Sequence, residues 1–61
     1  MDEAFEAYAA GHADGSAGRR DGLRAADART GADYRIGFLD ARIEIFRVLA
    51  EIRRLVDGDQ L

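Results

Sequence analysis

Sixty-one residues, a formal net charge of −3, no cysteine, no proline and one histidine bound what this chain can be. A chain so short buries only about 60% of its unfolded surface, so a lone core is marginal and needs disulfides, a structural metal or oligomerisation. With no cysteine, disulfides and thiolate metal sites are excluded, and His12 alone cannot build a histidine site, so no metal or cofactor is expected. Self-association is the support left.

All nine basic residues are arginine, suited to planar, bidentate or stacked contacts. The acidic balance argues against nucleic acid or an anionic membrane as partner. The start, MDEAFEAYAAG, is acidic and lacks the basic and apolar regions of a signal peptide, and no stretch is long enough to span a bilayer. The expectation is a soluble cytoplasmic protein with residues 1–61 as one domain.

In chain order, the pattern predicts a two-helix hairpin, all-α, with helices at about 3–28 and 32–57 and a short connection near Arg29–Gly31. Asp2, Glu3 and Glu6 suit the N-terminal pole of the first helix. Within it Ala4, Tyr8, Gly11, Gly15, Gly18, Gly22 and Ala25 keep steps of four and three, placing the glycines in one stripe. Each glycine costs roughly 1 kcal/mol against alanine in a helix interior, so such a stripe implies contact at backbone range. Phe38 or Phe46 of the second helix, a sister subunit or a flat ligand could fill it. The competing reading makes Asp14-Gly15 and Asp21-Gly22 turns.

Beside the stripe, His12, Ser16 and Arg19 share one strip. Together with Tyr8, Arg20 and Arg24 they are the residues that would hold a phosphate or carboxylate. No acid on that strip orients His12, so a Ser–His nucleophilic pair has no support, and SAGRRDG lacks the spacing and lysine of a phosphate loop. No catalytic residue is assigned, and the chain is read as a non-enzyme.

At the boundary, Thr30 and Asp33 have the form of a capping box. The second helix then carries two apolar seams. Phe38, Ala41, Ile45, Val48, Ile52 and Leu55 form one; Ile36, Leu39, Ile43, Phe46 and Ala50 form the other, on the opposite side. A helix apolar on two opposed faces must be covered on both. The expectation is that one seam packs on the first helix and the other on a second chain. Arg35, Arg42 and Arg53 share one polar strip; Asp40, Glu44 and Glu51 share the other with Arg47 and Arg54. Gly58 marks the helix stop.

The stretch YAAGHADGSAGRRDG with the later DYRIGF, residues 8–38, resembles the glycine-every-fourth-residue helical adaptors of eukaryotic cytosolic iron–sulfur protein maturation. The resemblance implies a helical hairpin that grips protein partners, and it transfers no functional residue. The spacing departs from that pattern between Gly15 and Gly18.

Two functions follow. The first is a non-enzymatic, homo-oligomeric interaction protein acting stoichiometrically on a macromolecule as adaptor or inhibitor, a role common among small proteins of bacteria and their phages. The second is a small-ligand binder, such as a sponge for a nucleotide messenger, with arginine, tyrosine and glycine backbone meeting at a subunit interface. A helix-turn-helix using Arg19, Arg20, Arg24 and Arg29 is disfavoured by the acidic balance and the glycines.

Overall fold

The computed structural model describes residues 2–58, and those residues form helices and turns without a strand. Helix α1 spans Glu3–Ala17, the single turn α2 spans Gly22–Ala25, and the long α3 spans Gly31–Gly58. The molecule is a rod, 51 × 21 × 14 Å, with its length set by α3.

Helix α1 begins where Asp2 accepts from the backbone N–H groups of Ala4 (3.0 Å) and Phe5 (3.3 Å), satisfying two otherwise orphan donors. It ends at Gly18, which adopts a left-handed φ of 72°. There the Arg19 N–H returns to the Asp14 carbonyl at 2.9 Å, the glycine-capped end in which the chain turns back on the last helical turn. The first helix therefore stops well short of residue 28. The connection occupies residues 18–30, not Arg29–Gly31 alone. Asp14-Gly15 stays helical, whereas Asp21-Gly22 does open a turn: Asp21 caps α2 by accepting from Leu23 and Arg24 N–H.

The start of α3 also differs from the expected capping box. Asp27 accepts from the N–H groups of Arg29 (2.8 Å) and Thr30 (3.0 Å), and the Thr30 hydroxyl donates to the same oxygen at 3.3 Å. The bonds from Thr30 and Arg29 hold the Asp27 carboxyl below its ordinary range.

The two long helices do not form a hairpin. Among side chains Tyr8 meets Asp40 and His12 meets Glu44, and along the backbone Gly11 meets Tyr34 and Gly15 meets Phe38 and Ala41. Partners advance together along both helices, so α1 and α3 run parallel. The thirteen-residue connection returns the chain along α1 before α3 begins.

The contact is made at backbone range. A Cβ on Gly11 would overlap the Tyr34 carbonyl, and one on Gly37 would overlap the Tyr8 carbonyl. One on Gly15 would stand 2.5 Å from the Phe38 carbonyl oxygen. The glycine stripe thus receives the backbone of α3 and not the ring of Phe38 or Phe46. Gly18 and Gly22 lie outside this contact: the first is the cap, and nothing stands within 4 Å of a Cβ built on the second. Their place in the seam is taken by Gly37 and Ala41, the latter fully buried.

What remains as core is small. Ala25, Tyr34 and Ala41 are its buried apolar residues, with Phe38 and Ile45 half-buried beside them. Helix α1 covers α3 only as far as Ile45, so residues 46–58 project beyond it as an exposed overhang.

Candidate functional site

Two features of this frame carry chemistry: a polar flank along the α1–α3 contact, and the uncovered apolar surface of α3.

The flank repeats one pairing. The Tyr8 hydroxyl donates to Asp40 Oδ2 at 2.7 Å, and one turn further on His12 Nε2 lies 2.9 Å from Glu44 Oε2. The Tyr8 and His12 rings stand 6.2 Å apart, tilted by 31°. The hydrogen bond to Asp40, with desolvation and the charges of Asp40 and Glu44, raises the Tyr8 hydroxyl above its ordinary value. His12 therefore does have an acidic partner, supplied by the other helix. Nothing in a single-helix projection signals that pairing, because it depends on the parallel register.

Tyr34 holds the connection down. Its buried hydroxyl donates to Asp14 Oδ2 at 2.5 Å and accepts from the Asp21 N–H at 2.8 Å. Burial, followed by the bond to Asp14, raises this hydroxyl too, while the Asp21 N–H acts the other way. The periodicity of the second helix assigns Tyr34 no role; the fold makes it the largest fully buried side chain. Arg35 donates to the Ala25 carbonyl, and Arg42 lies over the Phe46 ring at 5.3 Å.

The six residues proposed to hold a phosphate are not brought to one place. Tyr8 and His12 are engaged with Asp40 and Glu44 on the flank. Ser16 is exposed near the end of α1. Arg19 and Arg20 line an open depression with Asp14 and Asp21 at the connection. Arg24 faces a different one, of about 370 Å³, with Glu3, Glu6 and Asp27 on its walls. Acids line both of these depressions, which opposes anion binding in them; Arg20 also borders a smaller, mostly apolar one with Tyr34, Arg35, Phe38 and Leu39. Among the described residues no cluster of three metal-ligating side chains occurs.

The apolar surface is extensive for so small a chain. The seam of Phe38, Ala41 and Ile45 is covered by α1, but its continuation through Val48, Ile52 and Leu55 is exposed, Leu55 by 62%. The opposite seam, Ile36, Leu39, Ile43 and Phe46, is exposed along its length, Phe46 by 59%. Phe5 and Leu23, the latter exposed by 89%, add apolar surface from α1 and α2. Among the described residues no helix is long and apolar enough to cross a membrane. No family model matches the chain, and no curated protein or solved structure is significantly similar to it.

Proposed function

We propose that this chain is a non-enzymatic helical interaction protein that works as a homo-oligomer, associating stoichiometrically with a macromolecular partner as an adaptor or inhibitor. The observation that carries this reading is the imbalance between a core of Ala25, Tyr34 and Ala41 and the large apolar side chains exposed on two sides of α3. Each Val, Leu, Ile or Phe moved from water to a packed interface contributes about 1.5–3 kcal/mol. The seam side chains are about half exposed, so covering either seam recovers about half of that for each of them. The scatter of Tyr8, His12, Ser16, Arg19, Arg20 and Arg24 over separate places favours this reading over a nucleotide binder.

Native mass spectrometry with sedimentation velocity tests it. The expected result is a dimer or larger species at micromolar concentration. A folded, helical monomer over that range overturns the reading.

A further inference from the structure

We propose that the α3 overhang is completed by the same segment of a second copy, lying antiparallel on it with a two-fold axis beside Ile52. This rests on the homo-oligomeric reading above and names its interface.

The face in question is continuous with one already formed. Tyr34, Phe38, Ala41 and Ile45 follow steps of four, three and four, and α1 covers them; Val48, Ile52 and Leu55 extend the same steps with nothing over them. Leu49 and Val56 widen this stripe along one edge, both more than half exposed. An apolar face that is half roofed by a parallel helix presents one further slot, of helical width, in line with that helix.

Helix α1 also decides the direction of what enters the slot. A second copy placed parallel and in register would bring two α1 helices into the space between the two α3 helices. The overhangs would then be held apart by about 10 Å or more, the diameter of a helix. Turned antiparallel, each overhang instead lies end to end with the other copy's α1. The length fits, since residues 46–58 span about 20 Å at 1.5 Å per residue. In the register centred on Ile52, Val48 sits beside Val56 of the second copy and Leu49 beside Leu55 of the second copy. Those pairs lie on opposite edges of the two stripes, so they fill each layer instead of colliding. Glu51, on the rim, is already held by two bonds from Arg54 of its own helix, at 2.7 and 2.8 Å. Covering these five side chains on both copies removes roughly 1,000 Å² from water, at the lower bound for a specific interface.

The chain has no cysteine, so directed cross-linking is clean. Val48→Cys and Val56→Cys chains, prepared separately, mixed and mildly oxidised, should give the mixed disulfide dimer in about tenfold excess over either like pair. Ile52→Arg should remove the dimer and lower the thermal midpoint with it, the fold being coupled to association. Two outcomes overturn the inference alone and spare the proposed function. One is preferential Val48→Cys like-pairing, which means a parallel interface. The other is an oligomer by native mass spectrometry that neither yields the mixed disulfide nor responds to Ile52→Arg. A folded wild-type monomer overturns both.

Discussion

Gly11 and Gly37 are each seated on a carbonyl of the opposite helix, Gly11 on that of Tyr34 and Gly37 on that of Tyr8. This exchange lets α1 and α3 approach more closely than the usual 8–10 Å between helix axes. The bare Cα–H groups then point at carbonyl oxygens, a weak contact of about 0.5–1 kcal/mol each. The helix propensity lost at these glycines is offset by backbone contact that no larger residue permits.

The glycines should accordingly separate into two groups. Gly11→Ala and Gly37→Ala force the helices apart and should each destabilise by about 2 kcal/mol or more, as overpacking does. Gly22→Ala meets open space at the start of α2, and should be neutral or stabilising by up to about 1 kcal/mol. Gly18→Ala must adopt the left-handed cap conformation, at a cost of about 1 kcal/mol. Urea midpoints followed by circular dichroism give this ranking directly; equal effects at Gly11 and Gly22 would contradict the close contact.

Tyr34→Phe should lower the thermal midpoint more than Tyr8→Phe does. The first leaves Asp14 and the Asp21 N–H without their shared partner beneath the connection, whereas the second frees Asp40 on a partly wet flank. Loss of amide-exchange protection at Asp21 in Tyr34→Phe alone is the accompanying sign.

Alkaline pH should weaken the fold. Both tyrosine hydroxyls are raised above the ordinary value of 10.0, so the folded chain holds these protons more tightly than the unfolded one. Their contribution is fully present below pH about 10 and is lost as pH climbs through the folded-state values. Asp27 works in the opposite sense. Its carboxyl is lowered from 3.8, so its contribution is present above that value and lost as pH falls through the depressed one. Denaturant midpoints should fall from about pH 9 to pH 11, and Tyr34→Phe should flatten that fall.

The helical class and the course of α3 were legible in the sequence because both rest on local periodicity. The close approach at Gly11 and Gly15 was legible for the same reason. Register was not. Gly18 and Gly22 keep the spacing of the stripe, yet the left-handed cap at Gly18 and the Asp21 cap end the helix, and spacing alone cannot distinguish a seam residue from a terminator. In the parallel arrangement Tyr34 of α3 ties together Asp14 of α1 and Asp21 of the connection. The bond to Asp14 spans twenty residues and leaves no periodic trace. The acidic partners of Tyr8 and His12 were hidden for the same reason, while the uncovered seams of α3 stood out in projection because nothing in one chain could cover both.

Completion of the small core between chains is read out by the thermal midpoint measured against concentration. For a fold coupled to association the midpoint depends on protomer concentration. The circular dichroism midpoint should rise clearly over roughly a hundredfold increase in concentration, from low micromolar upward. A midpoint that stays constant across that range, with full helical signal at its lower end, would contradict it.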